Sequence, residues 1–326
     1  MNNKILTSLF LVCCALTASL SSCAQIKASR NYVTKDINVD DFNKIELLGS
    51  PTVVYTQSTD GKTKVQIYGS DNLVNLVDIN VNNGTLCVKF KKNTMISWKD
   101  GRLKVIASSP SLEAAVLKGS GDINLESDID CNEFLFLLQG SGDINAKGIK
   151  SANNVNATLQ GSGDIDIKGN IQAQNANFDL QGAGDLKVQN VTASAATARM
   201  QGSGDLKVQG VNKIASVEAN LEGSGDLYFT GITANVVNAH LQGSGDLKVN
   251  GITRAANLSL QNSGDLDAKN LQAVDVTATL NGSGDLNCYA TGTLKVGVNG
   301  SGEIGYKGNP TKVELINGRY KNIRKL

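Results

Sequence analysis

A four-residue signature, Gly-Ser-Gly-Asp or a close variant, recurs ten times along the chain, ending at Asp122, Asp143, Asp164, Asp185, Asp205, Asp226, Asp246, Asp265, Asp285 and Glu303 with a spacing of 18 to 21 residues. A unit of that length is too small to bury an apolar face alone, so neighbouring units must stack to build a common core. Aligned on the acids, the next residue is Ile123, Ile144, Ile165, Leu186, Leu206, Leu227, Leu247, Leu266, Leu286 and Ile304, apolar in every copy. Two positions further on, Leu125, Ile167, Val188, Val208, Phe229, Val249 and Cys288 are again mostly apolar, and Asn124, Asn145, Asp166, Lys187, Lys207, Lys248 and Asn287 lie between the two columns. That alternation has the period of a strand with one face buried.

The same pattern stands upstream of the turn. Five residues before the acid sit Leu117, Leu138, Leu159, Leu180, Met200, Leu221, Leu241, Leu260, Leu280 and Val298, and a polar column containing Gln139, Gln160, Gln181, Gln201, Gln242 and Gln261 follows. Each unit therefore holds two short strands joined by a glycine-rich corner, and a second turn near Gly148, Gly169, Gly210, Gly231 and Gly251 leaves room for a third. An array of hairpins would give identical columns no reason to match. Parallel stacking gives one, because each residue then lies over its equivalent at about 4.8 Å and outward amides can bond along the stack. The expected fold is all-β, a parallel β-helix (solenoid) of about 20-residue rungs whose ten copies extend on the order of 45 Å.

The repeat occupies residues 111–309. Residues 32–110 lack the signature but keep strand patterns such as Lys44-Ile45-Glu46-Leu47 and Leu86-Cys87-Val88-Lys89-Phe90, with Gly49-Ser50 and Gly69-Ser70 as degenerate corners. This region is expected to form irregular first rungs or a capping β-layer, because an open end would expose unpaired backbone. Residues 310–326, rich in Lys and Arg, are expected to cap the other end.

Residues 1–22 read as a signal peptide: Lys4 precedes an apolar stretch from Ile5 to Leu16 that is shorter than the roughly 20 residues a membrane span needs. The segment Leu20-Ser21-Ser22-Cys23 has the form of a lipobox, so Cys23 is the expected acylation site and residues 23–31 the tether, with the lipid as the link to a membrane. Cys87, Cys131 and Cys288 remain in the body. Their odd number implies no disulfide framework, and they lack the paired spacing of a zinc site.

With a net charge of +1 the chain offers no overall field for nucleic acid, and no nucleic-acid partner is expected. Stacked carboxylates about 4.8 Å apart would repel by roughly 3.5 kcal/mol per neighbour at an effective dielectric of 20. The ten corner acids are therefore expected to serve as turn chemistry, each held by its own backbone. One acid per rung supplies too few oxygens for calcium, and neither a metal nor another cofactor is expected. The single histidine, His240, falls in an outward column with Thr158, Asp179, Arg199, Asn220 and Thr279. The corner serines have no nearby histidine, and no nucleophile elbow, P-loop or complete dinucleotide fingerprint is present.

Together the lipobox, the β-rich start with Gly49-Ser50 and the repeated corners resemble a Bacteroidetes family described as "putative auto-transporter adhesin, head GIN domain". The likeness extends over nearly all of residues 32–320. It implies a β-helical fold and a place in the cell envelope, as an outer-membrane lipoprotein facing the periplasm or the surface. The expected function is that of a non-catalytic scaffold or adhesin-like binder using its repetitive outer surface, with a glycan or an envelope protein as partner. The alternatives are a cation-dependent or carbohydrate-binding module and, further off, a β-helical polysaccharide-active enzyme.

Overall fold

The computed structural model describes residues 26–91, 96–97, 102–212, 214–317 and 322–326. A representative rung begins with strand Asn154–Leu159, turns through Gly161-Ser162-Gly163-Asp164 into strand Ile165–Ile167, and turns again at Gly169 into the short strand Ile171–Gln172. The next rung lies on it in parallel, with Leu159 paired to Leu180, Ile165 to Leu186 and Ile171 to Val191. The chain is a three-faced parallel β-solenoid, and the hairpin arrangement is not found in the repeat. In later rungs the strands run on through the bends as single long elements, Asp226–Gly243, Asp246–Asn262 and Asp265–Gly282. Register shifts fall near the second turn, between Phe229 and Ile232 and between Lys248 and Asn250, and in the last rung between Val296 and Gly297.

The core consists of the inward columns. Leu138, Leu159, Leu180, Met200, Leu221 and Leu241 are fully buried one above another. Burying each such side chain contributes about 1.5–3 kcal/mol. Beside them Ala115, Phe136, Ala157, Phe178 and Ala198 alternate large and small along the stack. Large and small side chains thus complement one another along the stack, as close packing of a core requires.

Gly49-Ser50 is the first corner. Gly49 O accepts hydrogen bonds from Ser120 N (3.0 Å) and Gly121 N (2.8 Å), and the flanking strands Lys44–Leu48 and Thr52–Tyr55 pair with Ala114–Leu117 and Ile123–Leu125. Gly69-Ser70 is not a corner. It ends strand Lys64–Ser70, where Gly69 pairs with both Val33 and Leu103 in antiparallel register. Thr85–Phe90 and Leu103–Ser108 continue the parallel stack below the first rung, and antiparallel strands Val77–Asn82, Lys64–Ser70 and Tyr32–Ile37 close it. At the other end Lys312–Asn317 and Ile323–Lys325 form one last partial rung.

Candidate functional site

The corner is built by contact between rungs. Gly140 O accepts hydrogen bonds from Ser162 N (3.0 Å) and Gly163 N (3.4 Å), and the same bifurcated pattern joins Gly119 to Ser141 and Gly142. A Cβ on Gly163 would lie 1.9 Å from Gly142 O, and one on Gly161 1.9 Å from Gly140 O. Neither glycine has a left-handed φ. At these rungs glycine is needed because stacked backbones approach closely, and not because of the dihedral angles, whereas at the later corners Gly282 (φ 150°) and Gly300 (φ 139°) also take a positive φ.

The acids form a ladder of their own. Asp122 Oδ1 accepts a hydrogen bond from Asp143 N (3.2 Å), Asp143 Oδ1 from Asp164 N (3.0 Å), Asp164 Oδ1 from Asp185 N (2.8 Å) and Asp185 Oδ1 from Asp205 N (3.1 Å). The same bond runs from Asp246 N to Asp226, from Asp285 N to Asp265 and from Glu303 N to Asp285. At these rungs the carboxylate satisfies the N–H of the equivalent acid one rung on, where the sequence pattern had pointed to the acid's own turn, while Asp226 N donates instead to Gly204 O (3.3 Å). The second oxygen is also used in places. Asp185 pairs with Lys187 (3.0 Å), Asp205 with Lys207 (2.7 Å), and Asp226 accepts the Tyr228 hydroxyl (2.9 Å). Arg324 supports Glu303 at 3.1 Å.

These partners divide the column electrostatically. Burial pushes the Asp185 carboxyl up, but the hydrogen bonds from Lys187 and from Asp205 N–H, with the Lys187 and Lys207 charges, hold it below the usual range. Burial and the charges of Asp226 and Asp265 raise Asp246, which an N–H from Asp265 offsets only in part. Burial, then the hydrogen bond to Asp226, pushes Tyr228 up to about 12. Among the described residues, no group of three or more His, Cys, Asp or Glu side chains is placed to hold a metal ion.

The outward columns make ladders as well. Gln139 Nε2 donates to Gln160 Oε1 (2.7 Å) and Gln160 Nε2 to Gln181 Oε1 (3.1 Å), while Asn175 bonds Asn154 and Asn177 bonds Asn156, both at 2.9 Å. An amide carries two N–H donors and two acceptor lone pairs, so each member keeps capacity for an outside partner after bonding its neighbours. His240 stands half-buried in its outward column between Asn220 and Ser259.

One surface feature escaped the column reading. A groove of about 440 Å³ crosses the first rungs, with apolar Val116, Leu135 and Leu137 between the charged Lys44, Glu46, Glu113 and Lys118. Its signal was the run Phe134-Leu135-Phe136-Leu137-Leu138, which breaks the in-out alternation by putting leucine on the outward side as well. The body thiols are poor nucleophiles. Burial raises Cys131 to about 11 and Cys288 to about 12, and burial followed by Glu46 raises Cys87. Cys23 lies outside the described residues.

Fold and corner together define a parallel β-solenoid assembled from Gly-x-Gly-acid rungs. The chain belongs to the family described as "Putative auto-transporter adhesin, head GIN domain", whose model matches residues 41–231 and 209–310. No curated protein matches it in sequence. Among solved structures, a "putative adhesin" from Bacteroides fragilis is similar at 25% identity, covering 92% of this chain and 100% of that one with a TM-score of 0.32. A "putative adhesin" from Parabacteroides distasonis has 20% identity, 93% and 100% coverage and a TM-score of 0.36. A "putative lipid binding protein" from the same organism has 21% identity, 93% and 99% coverage and a TM-score of 0.35.

Proposed function

We propose that this protein is a non-catalytic cell-envelope lipoprotein that binds or spaces an extended partner along its outer faces. The observation that carries the reading is the amide ladders, which offer equivalent donors and acceptors over successive rungs from Gln139 to Gln181. A glycan or another β-rich envelope chain has repeating polar groups that such a surface can meet at several rungs at once. Family membership supports an envelope or surface location. Anchoring would come from acylation of Cys23, and the side of the outer membrane that the solenoid faces follows from surface labelling of intact cells.

Affinity for a repetitive partner should scale with the number of rungs engaged. Deleting residues 186–205 removes one rung and joins Asp185 to Leu206 in register. On a glycan array, or against immobilised envelope polysaccharide, this variant should bind more weakly in a graded way. If His240→Ala alone abolished binding or a measured activity, the site would be local and the reading wrong. An unmodified N-terminus downstream of Cys23 by mass spectrometry would remove the anchor.

A further inference from the structure

The two ends of the stack are finished differently. At the N-terminal end Val77–Asn82 lies antiparallel over Thr85–Phe90, and Tyr32–Ile37 over Lys64–Ser70. At the other end Lys312–Asn317 bonds Thr293–Gly300 and Ile323–Lys325 bonds Ile304–Lys307, with no further strand beyond either among the described residues. Val313 and Leu315 stack on the fully buried Leu294 and Val296, so they continue the core, yet Val313 is 36% exposed. Ile316, at the register shift, is 54% exposed and Leu326 43%, so among the described residues three of the eight exposed large hydrophobic side chains lie on this one rung. The solenoid ends on an uncovered cross-section of its core bordered by an unpaired strand edge, a surface that favours strand addition.

We propose that a second copy of this chain covers this end, with strand Lys312–Asn317 pairing antiparallel to its own equivalent about a two-fold axis through Val313. Antiparallel pairing of identical strands is self-complementary, as a two-fold interface requires. Charge selects the register. Residues directly opposite share a face, so an axis at Val313 sets Lys312 of each copy against Glu314 of the other and makes two inter-copy ion pairs. On the inner side it sets Val313 against Val313 and Leu315 against Thr311, extending both cores. An axis at Glu314 would oppose two carboxylates, and one at Leu315 would set Glu314 against Ile316. Within one copy Lys312 and Glu314 already pair on the outward side. Glu314 Oε2 also faces Lys295 at 3.8 Å, and the ammonium's three donors and the remaining lone pairs of the carboxylate leave both groups capacity for a partner. The inference is independent of acylation and of any ligand on the outer faces.

Sedimentation over a concentration series, on the chain from Ala24 onward, which holds every described strand, should show a monomer–dimer equilibrium. Lys312→Glu and Glu314→Lys each create two like-charge pairs across the axis and should weaken dimerisation about tenfold or more. The double variant Lys312→Glu/Glu314→Lys restores opposite charges and should recover the original affinity, while circular dichroism melts check that all three fold. Val313→Cys, in a Cys87→Ser/Cys131→Ser background, should form an intermolecular disulfide on mild oxidation, since opposed residues on the axis lie within reach of that bond. A chain that is monomeric throughout and gives no Val313→Cys cross-link overturns the proposal. So does a dimer indifferent to the single changes or not rescued by the double one, and so does an end that takes an unrelated β-strand peptide but never its own copy.

Discussion

Replacing Gly163 by alanine tests the claim that the repeat is set by contact between rungs. The added Cβ would sit 1.9 Å from Gly142 O, whereas real side-chain carbons keep beyond 3.0 Å of such atoms, and the obstacle is backbone that cannot rotate away. The rungs must therefore separate locally by about an ångström, which stretches the bonds from Ser162 N to Gly140 O (3.0 Å) and from Asp164 N to Asp143 Oδ1 (3.0 Å). Overpacking costs about 1–3 kcal/mol, and each backbone donor left unsatisfied adds about 1–3 kcal/mol. A loss of roughly 3–9 kcal/mol follows if both donors lose their partners. Ser162→Ala, one residue away and exposed, should change stability by no more than about 0.5 kcal/mol, in keeping with the natural Ala183 at the equivalent place. Urea unfolding followed by circular dichroism, with a second probe to detect rungs melting separately, measures both. Equal stability of Gly163→Ala and Ser162→Ala would refute the close-approach explanation.

Three further outcomes follow from the columns. Leu221→Ala should cost about 2–5 kcal/mol as a buried cavity, against about 0.5 kcal/mol or less for the exposed Gln242→Ala, and similar costs in urea would contradict the inward assignment. Asp164→Ala leaves the Asp185 N–H without its acceptor and should cost about 1–3 kcal/mol; Asp164→Asn keeps an acceptor oxygen and should recover most of that, unlike a site that needs the charge. Asp185 has a lowered carboxyl pKa in the folded chain, so its contribution is present above the ordinary Asp value of about 3.9 and is lost as pH falls below it. Asp246 is raised, so its ionised form is a penalty present at neutral pH and relieved as pH falls through the folded value. At pH 7 Asp185→Asn should lower Tm and Asp246→Asn should raise it, both differences fading in acid, and a shift of the same sign for the two would show that their partners do not set the ladder's charge balance.

Much of the fold was legible because stacking makes each inward column its own repeat: Leu138, Leu159 and Leu180 announce one another. The corner at Gly49-Ser50 was readable for the same reason. Gly69-Ser70 was not, because the dipeptide alone does not say whether a glycine meets a stacked corner or an antiparallel neighbour, and the closing strands below the first rung have no repeat to betray them. The direction of the acid bonds was also hidden. An Asp beside a glycine can bond its own turn or the next rung's N–H, and only the closeness of the rungs decides for the latter. Leu135 and Leu137 lay in view as a broken alternation, yet one irregular rung among regular ones carries little weight in a column count.

The same physics separates what the sequence can vary from what it cannot. At Gly163 a single added carbon meets backbone, and at Leu221 a removed side chain leaves a cavity, so corner and core admit few substitutions. The outward positions carry no such constraint. In register with one another, Asn145, Asp166, Lys187, Lys207 and Tyr228 change character from rung to rung while their strands stay aligned. Lys207 pairs with Asp205 and lies 5.3 Å from the Tyr228 ring centre, so even these varied residues engage neighbours along the stack. A solenoid of this kind keeps its backbone rule constant and writes its differences on the outside. Specificity for an extended partner would then reside in the order of outward residues along a face, and exchanging Lys187 and Lys207 for Asn should alter which partner binds without altering the rungs that present it.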